Sequence, residues 1–219
     1  MPGRWSLVVP VKDAALGKTR LSALLDETAR AALVRAMALD TVAAAVACPA
    51  VGRVLVVTAD AVVAREVQGP GVLVVPEPVR RGARSGLDAA AAAGIAAARA
   101  LDRQTPVGVL LGDLPALRPD DLAAALAAAD RHPRAMAADA AGTGTTLLTV
   151  GAGVAAGPTR FGAGSAAAHA ALGHVPLPLP ESSSVRQDVD LPADLAALRA
   201  SRPGPRTTRL LDELAAPGR

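Results

Sequence analysis

Apolar residues fall into two regimes along the chain, short runs rich in Val and Leu and longer Ala-rich stretches with large apolar residues at helical spacing. Residues 5–9 form a compact β-rich run, and Pro10 and Gly17 punctuate the stretch after it, which predicts a strand, a loop and then a helix. Residues 26–47 read as that helix, with Asp26 as its N-cap and Leu33, Val34, Met37 and Val42 at helical spacing. The pattern then predicts a strand over 53–58, a short helix over 60–67, a strand over 72–75 and a Pro-, Gly- and Arg-rich loop over 76–86. Helix returns over 85–101, and residues 107–111 make an apolar strand that ends at Gly112-Asp113.

Strands that alternate with helices in this way predict a mainly parallel sheet covered on both faces, with ligands bound beyond the carboxyl ends of its strands. The run around the two lysines and Asp113 both fall at such ends. Further on, a helix is predicted over 119–130 and strands over 134–138 and 145–150, the two strands separated by a Gly142-Thr143-Gly144 turn. The pattern then becomes irregular. A Gly-rich stretch over 160–165 leads into a short helix, 175–179 is a candidate strand, and 186–190 precedes a helix over 192–200 with proline in its first turn. From Ser201 a Pro/Gly linker is expected, with 207–214 forming a last helical turn or fraying. The expected division is one domain over 1–200 and a tail over 201–219.

Composition narrows the functional classes. The 219 residues are 51% hydrophobic, enough for a full core, but contain no run of 18 strongly apolar residues, so neither a membrane span nor a signal peptide is expected and the reading is cytoplasmic. The single cysteine, Cys48, lies in an Ala/Val-rich run and reads as a buried, inert thiol. A net charge of +3 is too small to imply nucleic acid, and with only Trp5 and Phe161 as aromatics the chain lacks stacking platforms for single strands. A small anionic substrate suits it better.

The two lysines, Lys12 and Lys18, share one stretch in a chain whose other basic residues are all arginine. They suggest a phosphate-handling loop that wants compact point charges, the bland alternative being a solvated loop. Gly17-Lys18-Thr19 invites comparison with the P-loop G-x-x-x-x-G-K-[ST], but residue 12, where the first glycine would stand, is lysine. Asp113 emerges where a buried strand ends and suits Mg²⁺, which takes one or two carboxylates together with waters and substrate phosphates. Capping of the next helix is its other reading. Alternation puts Asp188 and Asp190 on one side of an extended segment, for ligation or for capping. Gly142-Thr143-Gly144-Thr145 and Phe161-Gly162-Ala163-Gly164-Ser165 expose hydroxyls and N–H groups that suit a carboxylate or phosphate. His132, His169 and His174 lack ligand spacing and read as structural or surface groups.

In order, Pro-Val-Lys and Gly-Lys-Thr-Arg-Leu-Ser, Gly-Leu-Asp at 86–88, Gly-Asp-Leu-Pro-Ala-Leu at 112–117, Gly-Thr-Gly-Thr at 142–145, Phe-Gly-x-Gly-Ser at 161–165 and Asp-Val-Asp-x-Pro-Ala-Asp-Leu at 188–195 assemble a pattern. It resembles the 2-phospho-L-lactate/phosphoenolpyruvate guanylyltransferases of deazaflavin coenzyme F-420 biosynthesis over about residues 5–200. The resemblance implies a single α/β domain of the nucleotidyltransferase, glycosyltransferase-A-like (nucleotide-diphospho-sugar transferase) fold, with a mixed, mostly parallel central sheet. It implies that Lys12, Lys18 and Arg20 face the GTP phosphates, with Lys12, Lys18 and Asp113 as catalytic groups. Asp113, Asp188 and Asp190 would hold Mg²⁺, while Thr145, Gly162 and Ser165 match positions that bind the three-carbon acid. Gly86 and Asp88 match the nucleotide-binding Gly-Leu-Asn, with Asp88 standing where that family usually has asparagine; an aspartate can still accept from guanine N1–H and N2–H.

The implied activity is transfer of GMP from GTP to phosphoenolpyruvate or 2-phospho-L-lactate, releasing pyrophosphate, with the product handed to the next enzyme of the pathway. 3-Phosphoglycerate is a further acceptor left open, and a homodimer is one candidate assembly. Two other functions remain open: another nucleotidyltransferase of this fold acting on a sugar phosphate or molybdopterin, and a non-catalytic GTP-binding module.

Overall fold

A computed structural model describes residues 5–12, 21, 24–79, 85–190 and 192–216. Seven strands, β1 (Trp5–Val11), β2 (Val51–Thr58), β3 (Val72–Pro76), β4 (Val107–Leu110), β5 (Arg134–Ala138), β6 (Thr145–Val150) and β7 (Val175–Pro176), form one sheet in the order β3-β2-β1-β4-β6-β5-β7. β1 pairs in parallel with both β2 and β4, and β2 with β3, whereas β6 runs antiparallel to its neighbours β4 and β5. The sheet is therefore mixed and mostly parallel, as the sequence pattern and the resemblance imply.

Both faces of the sheet are buried at its central strands, and alternation along β1 shows how. Trp5, Leu7, Val9 and Val11 join Val54, Val56 and Leu110 in one hydrophobic cluster, on the side of α1 (Glu27–Ala47) and α4 (Pro119–Ala129). Val8 points the other way and packs with Leu55, Val57 and Val109 against Ala90, Ala91 and Ile95 of α3 (Gly86–Leu101). Such near-continuous apolar strands are what a sheet covered on both faces requires. Asp60 caps the short helix α2 (Ala61–Glu66), its Oδ1 accepting from the N–H groups of Val62 and Val63.

The first strand runs two residues further than the 5–9 predicted from Pro10. Ser6 donates its N–H to Pro106 and Trp5 donates its N–H to Ala50, so even-numbered residues of β1 turn their amides toward β4 and odd-numbered ones toward β2. Pro10 thus directs its missing donor to the β4 side, where pairing has already stopped at Val8–Val109. The ladder to β2 continues undisturbed to Val11 and carries the chain to the sheet's edge.

Beyond the sheet lie α5 (Ser165–Ala171), α6 (Pro192–Leu198) and α7 (Pro205–Ala215). The candidate strand at 175–179 shortens to Val175–Pro176, with Leu177 just beyond it still donating its N–H to the carbonyl of Met136 at 2.8 Å. At the C-terminus the difference is larger. In place of one helical turn or a fray, α7 is an 11-residue helix with Thr207 and Leu211 buried, and Leu211 joins Leu33, Met37 and Leu198 in a third cluster. Its N-terminus is capped from outside, because the buried Asp40 carboxylate on α1 accepts from the N–H of Thr207 at 2.8 Å and of Arg206 at 3.2 Å. Gly204, just before the helix, donates its N–H to Pro115 at 2.8 Å. Replacing Asp40 by Ala strips both capping bonds and is expected to cost about 1–2 kcal/mol, read as a lowered melting temperature; an unchanged one would show that α7 is held by its apolar face alone.

Candidate functional site

β1 and β4 lie side by side, yet the chain leaves β1 toward β2 on one flank and returns through β4 on the other. That reversal opens a crevice at the carboxyl ends of the strands. A cavity of about 570 Å³ occupies this position, lined by Lys12 after β1, Gly112 and Asp113 after β4, Thr143–Thr145 at the start of β6, 161–165 before α5, and Asp188 and Asp190. Among the described residues of its wall, Lys12 is the cation and Asp113, Asp139, Asp188 and Asp190 are the carboxylates.

Asp113 and the Asp188/Asp190 pair, 75 and more residues apart in sequence, converge through the backbone. Val189 donates its N–H to the carbonyl of Asp113 at 3.1 Å. The Val189 side chain is buried at 2% exposure with Ala116, Leu198 and Leu211, which turns its two neighbours away from the core. Carboxylate oxygens of Asp113, Asp188 and Asp190 consequently lie within 4.8 Å of one another. Opposed ligands on a cation with bonds of about 2.1 Å stand about 4.2 Å apart, so small side-chain adjustments bring this all-oxygen set to a hard divalent ion. Asp113 itself is fixed from the other side, since Leu114 is fully buried and donates its N–H to the Thr41 hydroxyl of α1 at 3.1 Å.

Two loops supply a further part of the wall. The Asp139 carboxylate accepts from the N–H groups of Thr143 at 2.9 Å and Gly144 at 2.8 Å, closing the turn that leads to Thr145. The second loop, 160–165, has Gly162 at φ 127° and Gly164, the N-cap of α5, at φ 71°, backbone conformations that favour glycine. It is pinned at three points: Arg160 N–H to Nε2 of His169 at 2.9 Å, Phe161 N–H to Oδ1 of Asp88 at 2.9 Å, and Ala166 N–H to the carbonyl of Thr143 at 3.0 Å.

Of the residues singled out in the sequence, Lys12, Asp113, Thr145, Gly162, Ser165, Asp188 and Asp190 all come to this one cavity. Lys18 and Arg20 lie outside the described residues. Asp88 is placed differently from the expected acceptor for a guanine edge. Leu87, rather than Gly86 or Asp88, reaches the cavity wall. Asp88 is 8% exposed, its Oδ2 accepts the Ser85 hydroxyl at 2.7 Å while its Oδ1 takes the Phe161 N–H, and the Asp88 N–H donates back to Ser85. Ser85 is thus the side-chain N-cap of α3, and Asp88, held by the Ser85 hydroxyl, also ties down the 160–165 loop. Burial acts to raise its pKa, but hydrogen bonds from Ser85, Phe161 and Thr159 outweigh burial and hold Asp88 below the usual carboxylate range.

Two members of the site escape sequence reasoning. Asp139 does carry a readable signal, an Asx residue just before a Gly-Thr-Gly turn. His169 carries none, because its partners Thr145 and Arg160 come from other elements. It is fully buried, its ring packs edge-on against Phe161 at 5.0 Å, and its Nδ1 lies 2.9 Å from the Thr145 hydroxyl. Desolvation, reinforced by repulsion from His174 and only partly offset by Asp88, lowers its pKa to about 4. Burial likewise lowers that of His174.

Residues 5–172 match the family described as guanylyl transferase CofC like. The chain belongs to this family. Among its relatives, the phosphoenolpyruvate guanylyltransferase of Streptomyces coelicolor is 50% identical over 212 residues, covering 96% of this chain and 97% of that one. The phosphoenolpyruvate guanylyltransferase of Sanguibacter keddieii is 48% identical over 246 residues, covering 96% and 85%. Among solved structures, a putative nucleotide-diphospho-sugar transferase from Desulfovibrio desulfuricans superposes with a TM-score of 0.69 at 19% identity over 96% of this chain and 95% of that one, which shows the shared fold. In this guanylyl transferase of the CofC-like family the cavity at the β1/β4 crevice is therefore the candidate active site.

The two buried imidazoles make stability depend on pH. Their folded pKa values lie below the ordinary value of about 6.5, so between those values the unfolded chain binds more protons than the folded one. Stability is expected to be full above about pH 6.5 and to decline as pH falls toward 4, by roughly 3 kcal/mol for His169 alone. Denaturant midpoints at pH 7.5, 5.5 and 4.5 measure this; identical midpoints would show that the imidazoles are not held neutral.

Proposed function

We propose that the protein transfers GMP from GTP to a phosphorylated three-carbon acid, phosphoenolpyruvate or 2-phospho-L-lactate, with release of pyrophosphate, as a step in deazaflavin coenzyme F-420 biosynthesis. The observation that carries this reading is the convergence of Asp113, Asp188 and Asp190 in one cavity that Gly144, Thr145 and residues 162–165 also line, in a chain whose relatives carry the guanylyltransferase name. Phosphoenolpyruvate is the acceptor those names favour.

In this reading an oxygen of the acceptor's phosphate attacks the α-phosphorus of GTP in line, the bond from that phosphorus to the β-phosphate bridging oxygen breaks, and pyrophosphate leaves with the electron pair. The attacking phosphate is already ionised near neutral pH, so no side chain has to remove a proton. What the chain supplies is position and charge. Lys12 faces the phosphates from the end of β1, with Lys18 and Arg20 as further cations on the same stretch. A unit charge pair at 4 Å is worth about 4 kcal/mol at an effective dielectric of 20, so each well-placed cation offsets a substantial part of the repulsion between two anionic substrates. Mg²⁺ held by Asp113, Asp188 and Asp190 would neutralise charge on the nucleotide phosphates. Thr145, Gly162 and Ser165 offer hydroxyl and N–H donors to the acid. Gly86 and Asp88 would support the nucleotide end by fixing the start of α3, with Asp88 acting through the loop it anchors.

The decisive assay supplies GTP, Mg²⁺ and each acceptor in turn, monitors pyrophosphate and identifies the nucleotide product by mass. Pyrophosphate release is expected only when all three components are present, and turnover with sugar phosphates alone, or a preference for CTP or UTP, would contradict the proposal. Asp113→Asn keeps the side chain's shape and removes its charge, so it should fold normally and lose turnover by about a hundredfold or more. Wild-type turnover in that variant would return Asp113 to the role of a turn residue.

A further inference from the structure

His169 touches both walls that the proposed acceptor would meet, and its hydrogen bonds fix its chemical form. A backbone N–H can only donate, so the Arg160 N–H at 2.9 Å requires Nε2 to be the unprotonated nitrogen. Full burial keeps the ring neutral, and a neutral imidazole with a bare Nε2 carries its hydrogen on Nδ1. That hydrogen faces the Thr145 hydroxyl oxygen at 2.9 Å, which must therefore accept. The hydroxyl's own hydrogen is then left to donate, and its neighbour on the protein is the Met136 sulfur at 3.9 Å, a weak acceptor. An anionic oxygen in the cavity that Thr145 lines competes for that hydrogen with advantage.

The same imidazole sets the adjoining loop. The consecutive N–H groups of Arg160 and Phe161 are given to two buried ionisable side chains, His169 on α5 and Asp88 on α3. The Phe161 ring lies edge-on against the His169 ring. Behind His169 stands His174, whose Nδ1 lies 3.3 Å from the carbonyl of Ala135, which anchors the second ring to β5.

We infer that His169 is a positioning residue of the acceptor subsite: protonated on Nδ1 alone, it orients the Thr145 hydroxyl as a donor into the cavity and, with Asp88, clamps the entry of the 160–165 loop. The inference rests on the proposed acceptor reading and adds to it the group that prepares the subsite before the acid binds. It also explains why a histidine outside the cavity wall sits where a merely apolar side chain would fill the space, since an apolar replacement would leave the Arg160 N–H buried without an acceptor.

The test separates the two readings. Long-range ¹⁵N–¹H correlation spectra of the ligand-free wild type are expected to show His169 as the Nδ1–H tautomer, and the Nε2–H tautomer would overturn the inference whatever the activity. Calorimetry with phosphoenolpyruvate and with 2-phospho-L-lactate, in the presence of Mg²⁺ and a non-reacting GTP analogue, then measures acceptor affinity directly. In His169→Gln the amide oxygen can still accept from Arg160, but the Thr145 hydroxyl loses its orienting donor. Acceptor affinity should fall about tenfold with nucleotide affinity within twofold, as for Thr145→Val, and the double variant should be no worse than either single one. Equal losses for both ligands, or additive losses in the double variant, would reduce His169 to a packing residue. Wild-type protein that binds neither acid would sink the proposed function and this inference with it, whereas wild-type binding with unchanged affinity in His169→Gln would sink this inference alone.

Discussion

Three carboxylates gathered within 4.8 Å repel one another, and holding them there is the constraint around which this fold is built. Like charges this close favour a cation among them. The structure holds them there with rigid attachments on either side. Leu114, fully buried and bonded to Thr41 of α1, fixes the residue after Asp113, while Val189, buried between α6 and α7, fixes the residue between Asp188 and Asp190. One backbone bond, Val189 N–H to Asp113 carbonyl, joins the two anchors. The C-terminal helix belongs to this support, for Gly204 bonds Pro115 two residues beyond Asp113 and Leu211 packs in the cluster that buries Val189.

The cavity divides along the sheet in a way that strand direction dictates. The parallel half, β1 to β4, delivers its carboxyl ends, Lys12 and Asp113, to one side of the crevice. β6 runs the other way, so it brings its amino end, Thr145 and the turn held by Asp139, to the same edge. An antiparallel strand inserted beside a parallel set therefore brings the Lys12 and Asp113 ends and the Gly144–Thr145 turn to a single cavity.

Much of this is legible in the sequence, and the reasons for the rest are physical. Period-two and helical patterns locate the elements because the central strands are buried on both faces, and the motifs stand out because Lys12, Asp113, Asp188 and Thr145 lie where the chain enters or leaves regular elements and lines the cavity. The features that the sequence hides all depend on partners distant along the chain. Asp88 reads as an acceptor for a base because nothing local shows that Phe161, 73 residues on, uses its carboxylate. α7 reads as a fraying tail because its cap, Asp40, lies 167 residues before Thr207. His169 reads as structural, and it is buried, but only the geometry shows that it carries the Thr145 hydroxyl and the Arg160 amide on its two nitrogens. Pro10 suggests an early end to β1 because pairing on the β4 side, which has already stopped, cannot be seen from the residue itself.

Whether Asp113, Asp188 and Asp190 form one divalent-cation centre decides the rest. Electron paramagnetic resonance of Mn²⁺ titrated into the wild-type protein and into Asp113→Asn and Asp190→Asn tests it without requiring turnover. A single centre predicts saturable Mn²⁺ binding in the wild type that Mg²⁺ displaces and that weakens by about tenfold or more in each variant. Mn²⁺ binding that is unchanged in both variants would contradict it.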